Sequence, residues 1–256
     1  MANVKILTPV RFAAASYNLR VSVNGTPSTV AVPVTVARDY WMSGDDQADD
    51  AAGVGDLLNV LETAIDGAVS GATVDLTTDH NVIVTVPSGT IALLWADVLT
   101  TLDPAVFGFT AADTSAAIAV TGTLLPQGIW RSNTPLGPGR DMPVHVAGLA
   151  RTIAGDVSAT YFGEALPVRE VTFPALTDAK VRVVSAAATE PLGTLETAWG
   201  SSMVRGDPWR LYEDETAQAY SLYKATSQAL PWSQHPRHPW YWQAAIQAVR
   251  LGTWAP

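Results

Sequence analysis

The chain has 256 residues, 48% hydrophobic and 15% charged, with nine tryptophans, no cysteine and a formal net charge of −9. At roughly 100–200 residues per domain, that length makes one large domain or two small ones, with room for a real core. The missing cysteine excludes disulfides, thiolate-ligated metal centres and thiol nucleophiles, and the acidic balance argues against a sequence-reading nucleic-acid binder.

The charge is uneven along the chain. Residues 1–130 carry 13 acidic and 4 basic side chains, whereas residues 131–256 carry 11 of each. Tryptophan leans the other way: only Trp41 and Trp95 precede Trp130. Two regions with different surfaces are expected, with the acidic surplus confined to the first. No apolar run reaches the ~20 residues of a membrane span, and the best candidate, Ile91–Leu99, contains Asp97. Met1–Lys5 lacks the charged-then-apolar pattern of a secretory signal. No membrane insertion is expected.

The first fifty residues read as β. Val21–Val23, the turn dipeptide Asn24-Gly25 and the alternating run Ser28–Val36 predict a hairpin. Pro27 and Pro33 demote its second strand to an edge strand or a loose one. Gly44–Asp50 is a polar loop rich in carboxylates. Val54, Leu57, Leu58, Leu61, Ile65 and Val69 then follow helical spacing and predict a helix over about 51–69. Asp49 and Asp50 are placed to cap it, Asp56 and Glu62 fall on its other faces, and Gly67 or Gly71 ends it. Strands are expected at Thr73–Thr77, Asn81–Val86, Ile91–Trp95 and Ala116–Thr123. A short helix is expected around Asp97–Leu102 and Pro104–Phe107, stopped by Gly108. This order describes an acidic α+β domain over residues 1–125.

Leu124–Pro143 holds four prolines and three glycines, too many breakers for a regular element, and residues 126–145 read as a linker or arm. Beyond it, Ala147–Phe162 and Leu166–Phe173 read as paired strands around Gly163-Glu164. Thr194–Val204 reads as a helix, and Trp209–Tyr212, Ala219–Ala229 and Trp242–Leu251 read as strands. Ala244-Ala245-Ile246 blurs the period of the last, leaving a helix open there. The fold class is thus α+β, mainly β.

Candidate chemistry is sparse. His235 and His238 lie three apart, but Pro236 and Pro239 oppose a helix and no third ligand is near, so no metal is expected. Asp45, Asp46, Asp49 and Asp50 miss the calcium-loop pattern, with Asp50 at its sixth position and Asp56 at its twelfth. Gly53-Val54-Gly55 is only a fragment of a dinucleotide fingerprint, and nucleophile elbows, zinc-protease and phosphate-loop motifs are missing. No enzyme, catalytic residue or cofactor is expected. The cluster Trp232, Trp240, Tyr241 and Trp242 is the most distinctive local feature. Such rings either stack on sugars or plug a core or subunit interface, and the bracketing prolines favour the second.

One resemblance adds to this. Strands Arg151–Phe162 and Val168–Phe173, helix Leu195–Val204, the run Gly206-Asp207-Pro208-Trp209-Arg210-Leu211-Tyr212-Glu213-Asp214 and then Tyr220-Ser221-Leu222-Tyr223 resemble distal and minor tail proteins of tailed bacteriophages. Gly44, Leu57-Leu58, Leu61-Glu62, Leu93-Leu94-Trp95, Leu102-Asp103 and Phe107–Thr110 also resemble N-terminal regions of phage structural proteins. The resemblance implies a Trp-rich split-β-barrel-like domain over residues 146–256 with one helix. It also implies a homo-oligomer, commonly a six-fold ring, stacked on the tail tube among other tail proteins. DNA would pass its channel without sequence-specific binding, and the protein, made in the host cytoplasm, would reside in the virion. Trp199, Trp209 and Tyr212 are then expected as core anchors, and Trp232, Trp240 and Trp242 as core or interface anchors. The added N-terminal region fits a tail-tip role and leaves a neck or capsid-associated role open. A carbohydrate-binding attachment module is the rival reading.

Overall fold

The computed structural model describes residues 4–34, 38–43, 55–132, 140–144, 147–151, 157–161, 166–177, 203, 207–214, 219–226 and 232–254. Across them the protein is an α+β fold dominated by strands, as expected. The chain divides into two units. One comprises Ile6–Trp130 with Arg182–Ala198; the other comprises Met1–Lys5, Arg131–Val181 and Trp199–Pro256. Strand β1 (Val4–Leu7) starts in the second unit, and β2 (Val10–Phe12) lies in the first.

In the acidic unit, β3 (Ala15–Val23) and β4 (Thr26–Val34) form the predicted hairpin. Asn24 and Gly25 both have positive φ, +50° and +81°, the two-residue turn whose twist matches the strands it joins. Register closes at Val23 opposite Thr26, so hydrogen-bonded and non-hydrogen-bonded pairs alternate from there. Pro27 opposite Ser22 and Pro33 opposite Ser16 both fall on non-hydrogen-bonded pairs. Neither proline removes a ladder bond, and β4 is an edge strand, as its prolines predict. Val30, Val32 and Val34 point to the core from alternate positions.

Strand β5 (Arg38–Trp41) pairs with β2 and with the two-residue β6 (Gly55–Asp56). Helix α1 (Leu57–Asp66) follows directly and buries Leu57, Leu58, Leu61 and Ile65. It is shorter than the hydrophobic spacing suggests, and its cap differs from the expected one. Asp56 is the N-cap: its carboxylate accepts the Leu58 N–H at 2.8 Å and the Asn59 N–H at 3.4 Å. Ser43 adds its backbone N–H at 3.0 Å and its hydroxyl. Gly67 closes the helix at its other end. Asp49, Asp50, Val54 and the expected carboxylate loop lie outside the described residues.

Strands β7 (Thr73–Leu76) and β8 (Val82–Thr85) pair, then β9 (Ile91–Leu93) joins β3 and β10 (Ala119–Thr121) joins β8. Pro104–Phe107 forms a single 3₁₀ turn capped by Asp103 and ended by Gly108, whose φ is +73°. A Cβ on Gly108 would lie 2.2 Å from the Leu124 carbonyl oxygen, so the stop requires glycine. Asp97–Leu102 is not the helix expected. The Thr101 and Thr100 hydroxyls accept the Asn18 and Arg20 N–H groups of β3, at 2.9 and 3.0 Å. Thr101 N–H in turn donates to Asn18 O at 2.8 Å. These side-chain bonds to a strand edge compete with helix formation and win.

The other unit is organised around one long strand. An eight-stranded sheet runs in the order β11 (Ile129–Ser132), β1, β16 (Pro208–Tyr212), β17 (Tyr220–Ala225), β19 (His238–Trp254), β15 (Leu166–Thr177) and β12 (Arg140–Val144). Strand β18 (Trp232–His235) also pairs with β19. Strand β15 covers Tyr241–Val249 of β19, overlapping the stretches paired with both β18 and β17. Those two strands therefore share the opposite edge of β19, end to end. Among the described residues the sheet does not close: β11 and β12 are its two ends.

Two further expectations are corrected here. Two strands, β11 and β12, lie within the segment read as a breaker-rich linker. Pro143 is accommodated because β12 is an edge. Ala147–Phe162 does not pair with Leu166–Phe173: β13 (Ala147–Arg151) pairs with β14 (Val157–Tyr161), while β15 pairs with β12 and β19. Trp242–Leu251 is a strand, as its pattern predicts, and Ala245 blurs its period because it sits on the less buried face opposite Ala244, Ile246 and Ala248. The Pro-rich stretch from Trp232 is a hairpin, with His235 opposite His238 across exposed Pro236 and Arg237. The helix expected at Thr194–Val204 falls outside the described residues except for Met203.

Candidate functional site

Strand alternation determines the chemistry of Pro208–Tyr212. Trp209 and Leu211 point to one face of the sheet, Arg210 and Tyr212 to the other. All four are buried, Trp209 and Arg210 completely. On the first face Trp209 stacks on Tyr223 of the neighbouring β17, with ring centroids 5.1 Å apart and planes at 28°. The two residues sit opposite each other in register. Val171, Phe173, Ile246, Ala244 and Ala248 fill the same unit's apolar core.

The second face carries cations against rings. The Arg210 guanidinium lies 4.4 Å from the Tyr220 ring centroid, and Tyr220 meets Tyr212 at 5.3 Å. The Lys5 ammonium lies 4.2 Å from the Tyr212 centroid. Lys5, Tyr212, Tyr220 and Arg210 form a chain of cation and ring contacts running from β1 across β16 to β17. Each desolvated cation–ring contact is worth about 2 kcal/mol. The planar guanidinium suits this role better than an ammonium at the inner position.

Arg169 on β15 links the Trp209–Tyr223 stack to the surface. Its Nη1 donates to the Tyr223 hydroxyl at 3.1 Å and to Glu213 Oε1 at 2.7 Å. Burial pulls the guanidinium downward, but Tyr223 and Glu213 outweigh it and hold the group above its ordinary value.

Of the expected anchors, Trp209 and Tyr212 lie in this buried arrangement. Trp242 is half-buried on β19, opposite Leu176 and Gln234. Trp232 and Trp240 have their backbones in β18 and β19, whereas Trp199 lies outside the described residues. Sequence reading gave no role to Lys5, Arg169, Arg210, Tyr220 or Tyr223. An arginine inside the apolar run Trp209–Tyr212 was the signal for Arg210; nothing local marked Lys5, more than 200 positions away. Among the described residues no cluster of three or more His, Asp or Glu could hold a metal. Nor is any helix among them long and apolar enough to cross a membrane. Comparison with protein-family models, curated proteins and solved structures found no match.

Proposed function

We propose that the protein is a structural component of a tailed-phage virion, a distal-tail ring subunit that joins the tail tube to the host-attachment apparatus. One observation carries this reading: the run that resembles tail proteins, Pro208–Tyr212 with Tyr220–Tyr223, forms adjacent strands inside the long sheet, its aromatic side chains packed on both faces. The two ends of that sheet, β11 and β12, add support. Strand edges of this kind pair readily with other chains, and head-to-tail repetition around an axis closes into a ring. The role is mechanical: repeated subunit interfaces hold a channel for DNA and a platform for neighbouring tail proteins.

Electron microscopy of particles and of the purified protein tests this. Rings of the purified chain, and labelled density at the tail tip, are expected. A strict monomer that is missing from particles overturns the proposal, and density at the neck or capsid relocates it. A carbohydrate-binding role draws on Trp240 and Trp242, both in β19. Tryptophan fluorescence that responds to host polysaccharide would favour it.

A further inference from the structure

Asn24-Gly25 is the one Asn-Gly step in the sequence, and its surroundings bear on a covalent reaction. An asparagine followed by glycine cyclises when the glycine nitrogen reaches the side-chain carbonyl carbon. Glycine allows this because no side chain shields its nitrogen. Both residues are exposed, and a Cβ on Gly25 would meet nothing within 4 Å. Sequence, solvent and space are therefore all in place for attack.

The side chain is held elsewhere. Asn24 Oδ1 accepts the Thr90 N–H at 2.9 Å, and Asn24 N–H donates to Thr90 O at 2.9 Å. This reciprocal pair fastens the carboxamide to the turn before β9. It fits there because residue 89 is glycine, with φ of +76°. A Cβ at that position would lie 2.3 Å from Asn24 Oδ1 and 2.8 Å from Nδ2.

We propose that Asn24 is a site of self-catalysed deamidation that the Gly89-Thr90 turn holds in check, so that loosening this turn starts a covalent, irreversible change in the hairpin. In the reaction the Gly25 nitrogen forms a bond to Asn24 Cγ, the Cγ–Nδ2 bond breaks, and Nδ2 leaves as ammonia with the proton from Gly25. Water then adds to either carbonyl of the imide and opens it to aspartate or isoaspartate. No oxidant, reductant or co-reactant beyond water is needed. The aspartate product keeps an acceptor for the Thr90 N–H. The isoaspartate product adds a methylene to the main chain of a two-residue turn, whose register places Val30, Val32 and Val34 in the core. This inference stands apart from the proposed virion role.

The test is peptide-mapping mass spectrometry of the intact chain aged in mildly alkaline buffer, folded and in urea. Deamidation at Asn24 should be at least about tenfold slower in the folded chain. Gly89→Ala, confirmed as folded by circular dichroism, should speed it about two- to tenfold, the range set by one hydrogen bond. Where that variant does not fold, Thr90→Pro removes the N–H donor, keeps the carbonyl acceptor and should give the same acceleration. Equal rates in folded and urea-treated chain, or a folded variant ageing at the wild-type rate, would overturn the proposal.

Discussion

The acidic unit and the aromatic unit are both mostly strand, yet their strands are joined by different physics. In the first, two hairpins join strands close in sequence: β3 meets β4 across two residues, and β7 meets β8 across five, while β9 and β10 reach back to β3 and β8. Side-chain bonds from Asp56, Thr100, Thr101 and Asp103 to backbone N–H groups fasten the rest. In the second, β1 lies beside β16, and β12, β15 and β19 assemble from stretches far apart. Buried rings and cations fill its centre. The first unit leans more on local turn chemistry, and the second more on long-range packing.

The strongest way to break that comparison is Trp209→Ala. Removing a fully buried ring from the stack on Tyr223 should cost about 3–5 kcal/mol. Hydrogen exchange should then lose protection in β15, β16, β17 and β19 and retain it in α1, β3, β7 and β8. Simultaneous loss everywhere would mean that the two units melt as one body. Trp209→Phe keeps a ring and removes an indole N–H that has no acceptor among the described residues. Most of the lost stability should return.

Asp56→Ala probes the local side and should cost about 1–2 kcal/mol by urea unfolding, the range for losing an N-cap. Its pH dependence sharpens the point. Burial pushes the Asp56 carboxyl above its ordinary value of 3.8, even though Ser43, Leu58 and Asn59 donate to it. A folded-state pKa above the unfolded one means that the protonated form is the favoured one in the fold. The advantage of wild type over Asp56→Ala should thus be full below about pH 3.8 and shrink as pH rises through the raised folded value. A gap that widens with rising pH would contradict this. The smallest effect belongs to Glu213→Ala. It breaks an exposed ion pair with Arg169 and should shift stability by less than about 1 kcal/mol, with the loss fading in salt.

Legibility in the sequence follows the same division. The Asn24-Gly25 hairpin, the edge placement of β4, the heart of α1 and the stop at Gly108 all follow from local propensity and were readable. Asp56 is missed as the cap because Asp49 and Asp50 lie just upstream of the helical spacing, and Asp97–Leu102 is misread because its threonines bond a strand 80 residues away. In the aromatic unit the strands at Trp209–Tyr212 and Trp242–Leu251 were readable as strands. Their neighbours were not, because alternation shows which faces are buried and says nothing about which strand lies alongside. The cation–ring chain was hidden for that reason: Lys5 and Tyr212 come together only once β1 sits beside β16.

The place of β1 also sets a timetable. The strands of the acidic unit from β2 to β10 are all synthesised before residue 122, so their hairpins can form while the chain is still emerging. Strand β1 precedes them, but β16, one of its two neighbours in the sheet, begins only at Pro208. At about 5–20 residues per second, β1 waits roughly tens of seconds for a partner that lies so far downstream. During that interval the side chains of Val4, Ile6 and Leu7, buried in the finished fold, have one neighbouring strand fewer to cover them, so the nascent chain carries an aggregation hazard at β1 until β16 emerges.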